Sequence, residues 1–519
     1  MTSAQRAPEE THDREASRSR AVTVTSIALA AVLATALGAV RLVPSPQTDD
    51  HGTYASVAER LLSGDRLYVD VWDNKDPVFY YVLALGRFVS PLADYAVEIL
   101  WALLACSAAW SLARTSGLGR SWAALMAALA SVVLTGPAYV PGMTHLPGVA
   151  LTLWAVAAAT RRRWVLAGAV VGLVVLTKVT LVPVAAVGLL TCVWHHRSWT
   201  GAVRAALAGL TALAAGIGLL AVRDELGGWV ANLRANLLYA DGEVFSSRHG
   251  GPVGHLLRAF PEGSPKTALF TVVAVVAVIV WAGVPAWKAR APRPLDVTGA
   301  DLRVPALLAS LTLNTFVASL LVLGATATWP HHGQTMGVPA VVALVLATTL
   351  LGSRGGLAAA SGRGLGSPTR VAAALVTAYA VGGALHPTFY VQATREAPLA
   401  LAALEQESPA SALVASLPGV RTYARVGSND TEAHALGLRG LVLECPRFHQ
   451  YAFIESAAIL DSTATCLHGA DALILDDSAV PTEGASPWNE YIERVRALVS
   501  TGYDCVPSTG AQVCVRRPT

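Results

Sequence analysis

Charged residues are scarce in this chain. Of its 519 residues, Asp, Glu, Lys and Arg make up only 14%, while 53% are hydrophobic. An ordinary soluble globular domain carries about 25% charged residues, so this composition excludes that class of protein. Several apolar runs reach the roughly 20 residues that a helix needs to cross a bilayer. The sequence therefore predicts an α-helical polytopic membrane protein.

Lysine is rare too, and acidic residues are missing over a long stretch. The only lysines are Lys75, Lys178, Lys266 and Lys288. No aspartate or glutamate lies between Glu98 and Asp224. An ionisable group in an apolar segment is costly and usually functional, which singles out Lys178. A bound phosphate and a structural carboxylate are equally good partners for it.

Basic residues favour the cytoplasmic side of short membrane loops, and here they recur at alternate connections. Residues 1–20 are predicted as a disordered cytoplasmic tail. Eleven spans are predicted near residues 21–43, 93–113, 121–140, 145–160, 164–177, 180–195, 202–222, 267–287, 304–327, 335–352 and 370–391. The N-terminus is then cytoplasmic and the C-terminus outside. The alanine- and arginine-rich composition indicates a bacterial plasma membrane.

The segment 164–195 admits two interpretations. It is either one long tilted helix or a hairpin of two short helices that turns near Lys178. Basic clusters stand at both of its ends, and they belong on the same side of the membrane. We therefore predict the hairpin.

Residues 392–519 regain charge and are predicted to form a small α/β domain outside the membrane. Residues 472–475 are predicted as a buried strand, 488–500 as a helix and 503–516 as a hairpin. Four of the six cysteines fall here, namely Cys445, Cys466, Cys505 and Cys514. They allow three pairings, of which the hairpin favours Cys505 with Cys514 and Cys445 with Cys466. Disulfides need an oxidising compartment, in agreement with the outside placement; four free thiols in a cytosolic domain are the alternative.

The first outer loop, residues 44–92, is too long for a bare connector. Apolar residues at helical spacing predict an amphipathic helix over 54–62, closed by Gly64. A second apolar run, 78–89, opens at Pro77. We expect both helices to lie along the membrane surface.

Charges cluster at the starts of these two helices. They are Asp49-Asp50-His51 and Trp72-Asp73-Asn74-Lys75-Asp76. Taken singly, each of these charged residues has a structural explanation. An aspartate can cap a helix, and a lysine at the headgroup level can extend its ammonium group into water. Thr53 could cap the first helix instead, which would leave the aspartates free. Taken together, carboxylates and a cation at a membrane edge favour chemistry on a lipid-linked phosphate.

Three motifs follow one another in this loop. They are Asp50-x-x-x-Tyr54, Leu62-x-Gly64-Asp65-x-x-Tyr68-x-Asp70, and Trp72-Asp73-Asn74-Lys75-Asp76-Pro77 followed by Phe79-Tyr80-Tyr81. The set resembles the first outer loop of GT-C-type glycosyltransferases, in the branch that includes the lipid A aminoarabinose transferase and the protein O-mannosyltransferases. The segment 172–178 resembles the family's glycine-rich segment, and 329–339 its histidine-rich outer loop. The resemblance covers residues 20–395 and implies a GT-C transmembrane domain over 21–391.

This resemblance implies that a hexosyl or pentosyl unit moves, with inversion, from a polyprenyl phosphate to a glycan, lipid or protein acceptor of the cell envelope. By position, Asp50 would take the acceptor's proton, with Asp49 as the alternative base. Cations must stabilise the departing phosphate, and the candidates are Lys75, His331, His332, Arg248 and Lys178. The expected substrate-binding residues are His51, Tyr54, Asp73, His145 and Gln334.

The sequence departs from the family pattern at the second carboxylate, which relatives often carry in the next outer loop. Here the loop 136–147 offers only Thr144 and His145, so either the mechanism does not use two carboxylates or the second role passes to Asp73 or Asp76. A divalent metal ion is possible, and the residues that could bind it are His51, Asp49, His331 and His332. Their spacing selects no metal, and we expect none tightly bound.

Two other functions stay open. The second large outer loop, 223–266, suits a sugar phosphate, but a loop of this length outside a membrane is polar in any case. A lipid-linked sugar transporter or flippase would show internal repeats, and we find none. A catalytically inactive scaffold for envelope assembly is consistent with the missing second carboxylate. No nucleic-acid partner is expected.

Overall fold

The computed structural model describes residues 49–90, 93–134, 142, 144–241, 303–325, 330–352, 408–427, 436–437, 439–445, 457–481 and 487–518. The predicted tail and the predicted spans at 21–43, 267–287 and 370–391 lie outside these residues. Within the described ranges, four helices are long and apolar enough to cross a membrane. The total of eleven spans stays a prediction.

Two helices, α1 (Asp49–Leu62) and α2 (Pro77–Val89), pack together and form a surface module with the loop between them. Both helices were predicted from apolar spacing, and both are confirmed. Gly64 follows the first with φ +101°, a conformation that glycine adopts without strain. Because α1 begins earlier than expected, Thr53 lies inside it and is fully buried. The prediction that Thr53 caps this helix is therefore wrong.

The next helices form the bundle. They are α3 (Ala93–Thr115), α4 (Arg120–Leu134), α5 (His145–Thr160), α6 (Trp164–Thr177), α7 (Val182–His196), α8 (Trp199–Val222), α9 (Leu226–Asp241), α10 (Arg303–Ala325) and α11 (Gly337–Gly352). Short 3-10 turns at Val179–Leu181 and Pro330–Met336 precede α7 and α11. α5 is buried on almost every side. A helix apolar all round is expected at a bundle centre.

The segment 164–195 is a hairpin, as predicted. α6 ends before Lys178, whose φ of −159° and ψ of 84° are not helical. The far ends of α6 and α7 meet, because the rings of Trp164 and His196 lie 6.0 Å apart. One straight helix would hold these two residues about 48 Å apart.

α6 and α8 are parallel neighbours whose backbones nearly touch. A Cβ on Gly168 would lie 1.8 Å from the carbonyl oxygen of Ala205, and one on Gly172 would lie 2.5 Å from that of Gly209. Small residues four apart on both helices permit this approach, as in other membrane helix pairs.

The described C-terminal residues form a five-stranded mixed sheet with order β2-β1-β3-β5-β4. Its strands are β1 (Thr422–Val426), β2 (Val442–Leu443), β3 (Ala472–Asp476), β4 (Tyr503–Ser508) and β5 (Ala511–Arg516). The accompanying helices are α12 (Pro409–Ser416), α13 (Ala457–Leu467) and α14 (Pro487–Gly502). β1 is parallel to both of its neighbours, whereas β5 is antiparallel to β3 and β4. The predicted strand, helix and hairpin correspond to β3, α14 and β4–β5.

The cysteines pair as predicted. Cys505 and Cys514 lie opposite each other on β4 and β5 and form one disulfide. The other joins Cys445, just after β2, to Cys466 on α13. Both tie neighbouring elements of the C-terminal sheet together.

The C-terminal sheet packs against the surface module. One hydrophobic core contains Tyr54 of α1 together with Tyr423 and Ile474 of the sheet. Arg60 of α1 also donates to the carbonyl oxygen of Leu443 at 2.9 Å. The surface module and the sheet therefore lie at the same end of the bundle.

Candidate functional site

The site is built around residues 73–76, which we call the lysine loop, just before α2. Three hydrogen bonds from other parts of the chain hold residues 73–75 of this loop. They run from the Tyr80 hydroxyl to the Asp73 carboxylate, from Asn236 Nδ2 of α9 to the Asn74 carbonyl oxygen at 2.8 Å, and from the Tyr68 hydroxyl to the Lys75 carbonyl oxygen at 2.6 Å. The loop is thus fixed by the surface module on one side and by α9 on the other.

Lys75 lies over an aromatic face. Its Nζ is 5.5 Å from the centre of the Tyr54 ring, a distance at which a ring attracts a cation. Tyr54 is fully buried and makes edge-on contacts with Phe79 and Tyr80. Tyr54 therefore forms the wall beneath the Lys75 ammonium group.

The predicted base precedes this wall in α1. Asp50 is one helical turn before Tyr54, so the two positions share a face of the helix. The side chains of residues 49–52 lie outside the described part of the chain. For Asp49, Asp50 and His51 the structure thus gives the backbone position and the helix register.

Asp76 is, with Asp73, one of two buried carboxylates of the lysine loop. Its Oδ2 accepts the backbone N–H of Val179 at 2.9 Å, which joins the surface module to the turn of the membrane hairpin. Burial raises the pKa of Asp76, and the positive charges of Lys178 and Lys75 act in the opposite direction. Because the hydrogen bond from Val179 joins the residue after Lys178 to the residue after Lys75, the structure brings together two lysines that are far apart in sequence.

Lys178 stands where α6 stops. A Cβ on Gly148 of α5 would lie 2.8 Å from the Lys178 Cβ, so the lysine stem packs directly on the α5 backbone. The positive charge of Lys178 lowers the pKa of the Asp76 carboxyl, and the next residue, Val179, donates its N–H to that carboxyl.

A second buried polar group lies at the start of α5. His145 begins this helix after Thr144, and Gln334 lies in a 3-10 turn that packs against it. All three side chains are buried. Within the described ranges, the Thr144 hydroxyl and both amide atoms of Gln334 have no hydrogen-bond partner. Since buried polar groups are normally paired, these atoms are candidates for contact with a ligand.

Sequence reasoning missed a carboxylate that fastens α9 to the surface module. Glu225 is fully buried and accepts from Tyr81, from the Leu67 N–H at 3.0 Å and from Arg223 at 2.8 Å. Burial and this carboxylate raise the pKa of the Tyr81 hydroxyl. The available signal was a carboxylate directly after a predicted span, at the start of the loop 223–266.

Several predicted site residues are not tested by the structure. Arg248 and the side chains of His331 and His332 lie outside the described residues. Among the side chains that the structure describes, no group of three or more His, Cys, Asp or Glu could hold a metal ion.

Comparison with solved structures gives two similar proteins. ArnT from Cupriavidus metallidurans, crystallised with undecaprenyl phosphate, aligns over 96% of this chain and 99% of its own, with a TM-score of 0.51 and 16% identity. The archaeal oligosaccharyltransferase AglB from Archaeoglobus fulgidus, in complex with an inhibitory peptide and a dolichol-phosphate, aligns over 95% of this chain and 74% of its own, with a TM-score of 0.46 and 12% identity. No protein-family model and no curated protein matches the sequence. The alignment with ArnT shows a shared fold.

Proposed function

We propose that this chain, which has the GT-C glycosyltransferase fold, transfers a sugar from a polyprenyl-phosphate donor to an acceptor hydroxyl with inversion. The sugar is a hexosyl or pentosyl unit, and the acceptor is a glycan, lipid or protein of the cell envelope. Transfer takes place on the outer face of a bacterial plasma membrane. The undecaprenyl phosphate bound to ArnT supports a polyprenyl phosphate as the carrier.

The convergence of Lys75 and Lys178 carries this proposal. Asp76, the residue after Lys75, accepts the backbone N–H of Val179, the residue after Lys178, at 2.9 Å, so the two lysines flank one hydrogen bond at the point where the apolar hairpin turns. Two cations at a membrane edge suit a phosphate whose lipid tail stays in the bilayer, because charged hydrogen bonds to phosphate are strong. They would also stabilise the charge that develops on the phosphate as the sugar departs. His331, His332 and Arg248 are proposed as further phosphate ligands.

Asp50 is the proposed base, with Asp49 as the alternative. The register of α1 supports Asp50, since it lies one turn before the tyrosine that contacts Lys75. Asp76 is the proposed second carboxylate. Its pKa is raised by burial, and within the described residues its Oδ1 has no hydrogen-bond partner.

The sugar and the acceptor are proposed to contact His51, Asp73, His145 and Gln334, with Tyr54 positioning Lys75. The amide of Gln334, which has no hydrogen-bond partner among the described residues, supports this role for the 3-10 turn that packs against α5. No resident metal is part of the proposal.

Transfer assays test the proposal. Purified protein is given radiolabelled undecaprenyl-phosphate mannose or arabinofuranose with a cell-envelope extract as the acceptor pool. Asp50→Asn should lower the rate by about 100-fold or more, because a positioned base contributes that much. Lys75→Ala should lower it by about 100-fold through loss of phosphate stabilisation. Asp224→Asn, whose parent side chain is 85% exposed, is the control and should leave the rate unchanged.

Three outcomes would contradict parts of the proposal. Full activity of Asp50→Asn would exclude this residue as the base. Movement of the labelled donor across liposomes without transfer to any acceptor would indicate a transporter. Neither transfer nor movement would favour an inactive scaffold.

A further inference from the structure

A fully buried asparagine on α9 has no hydrogen-bond partner among the residues that the structure describes. Asn232 is 0% exposed, and within the described part of the chain neither its Nδ2 nor its Oδ1 makes a hydrogen bond. Leaving a buried amide unpaired costs stability, and buried polar groups are normally satisfied. A ligand that pairs with this amide would explain its presence.

Asn232 lies on the face of α9 that meets the lysine loop. Trp229 lies one turn earlier, and its indole lowers the pKa of the Asp76 carboxyl. Within the described residues, the indole N–H is not in hydrogen-bond geometry with any acceptor. One turn later, Asn236 donates to the Asn74 carbonyl oxygen. Helix positions three and four apart share a face. The unpaired amide therefore lies between two residues that contact the loop carrying Lys75.

The two unpaired atoms define the chemistry of the ligand. Nδ2 donates and Oδ1 accepts, so a ligand that satisfies both must accept one hydrogen bond and donate another. An ionised phosphate only accepts, and a polyprenyl tail does neither. Neighbouring hydroxyl groups of a sugar do both.

We propose that Asn232 binds hydroxyl groups of the donor's sugar and so selects which sugar is transferred. This inference rests on the proposed function, because it places the sugar beside a phosphate held by Lys75 and Lys178. Asn232 is fully buried, so the sugar can reach its amide only if α9 shifts at the lysine loop when the donor enters, a conformational step of the kind that gates many active sites. A sugar without the matching hydroxyl would leave the amide unpaired and be rejected.

Asn232→Leu tests this inference, because leucine has a similar volume and no polar atoms. Binding is measured without acceptor, using undecaprenyl phosphate and the same lipid carrying mannose or arabinofuranose. The variant should bind bare undecaprenyl phosphate like wild type. It should bind the preferred sugar-loaded lipid about tenfold or more weakly, since the hydrogen bonds to the sugar are lost. Its Tm should rise, because an unpaired buried amide is removed.

Asn314→Leu is the control, at an exposed position where the asparagine already has a partner. Asn314 on α10 donates to Thr191 Oγ1 at 2.9 Å, so its amide already has a partner. This variant should show a lower Tm and unchanged binding of every lipid. The opposite changes in Tm and in lipid binding distinguish an amide that binds a ligand from one that stabilises the fold.

Other outcomes overturn the inference or the function separately. Unchanged binding of sugar-loaded lipid by Asn232→Leu, with a lower Tm, would assign the amide a structural role. If Asn232→Leu raises the KM for the acceptor and leaves donor binding unchanged, the amide binds the acceptor and not the donor sugar. If wild-type protein gains no affinity from any sugar and transfers none, the proposed function fails, whatever the variant does.

Discussion

Asp76 shows how one residue can join parts of the chain that are distant in sequence. It precedes Pro77 at the start of α2, where an aspartate usually bonds the helix's own N–H groups. Its side chain makes no such bond and accepts the Val179 N–H instead. The sequence shows that a charged residue precedes α2. Its partner, the Val179 N–H, is known only from the packing of the hairpin turn against the surface module.

Replacing Asp76 by asparagine should weaken the pH dependence of stability. Burial raises the folded pKa of Asp76 above its usual 3.8, so its stabilising contribution is full below that value and is lost as pH rises through the folded pKa. Asparagine keeps an acceptor for the Val179 N–H without a charge. The Tm of Asp76→Asn minus that of wild type should therefore increase between about pH 4 and about pH 7. A difference that does not change with pH would contradict the raised pKa.

Among the elements, the hairpin of α6 and α7 places Lys178. Its ends could be predicted, because basic residues bound an apolar run on both sides. Its packing could not, because Gly168 and Gly172 have no role until α8 lies against them. The contact of Gly148 with the Lys178 stem likewise depends on how α5 and the hairpin meet.

Gly168→Val should disrupt the contact between α6 and α8. Its side chain would overlap the Ala205 backbone, and overpacking of this kind costs about 1–3 kcal/mol or more. We expect a lower Tm and a smaller monodisperse fraction in detergent. Gly218→Val on α8 is the control, since a Cβ there meets nothing within 4 Å. Equal stability of the two variants would exclude the close approach.

In the whole molecule, the surface module, the lysine loop and the C-terminal sheet gather at one end of the bundle. The core shared by Tyr54 and Tyr423 and the bond from Arg60 to Leu443 hold this end together. The predicted orientation puts it outside the cell, where the disulfides can form.

Cysteine labelling in intact cells tests this orientation. Ser63→Cys lies on the surface module, and Ser500→Cys lies on α14; both parent residues are exposed. Both should react with a membrane-impermeant maleimide. Thr200→Cys is at the opposite end of α8 and also exposed, and it should react only after permeabilisation. The reverse pattern would invert the predicted topology.

The sequence by itself determined the membrane helices of the described residues and their order, but it did not predict α9, α12, α13, β1 or β2. Residues 145–160 and 164–177 were predicted to the residue, because three arginines separate two apolar runs. Hydropathy, basic flanks and hairpin register are local properties, and they also sufficed for the Cys505–Cys514 pair. The candidate base and Lys75 came from a resemblance, and the side chain of that base stays untested.

Only the tertiary structure decided what meets at the site. The hairpin turn that carries Lys178 reaches Asp76, through the Val179 N–H, because a helix breaks against the surface module. Glu225 fastens α9 over the lysine loop, which brings Asn232 to that loop. These contacts join residues from separate elements, so they depend on how helices pack in space. No local pattern in the sequence records that packing.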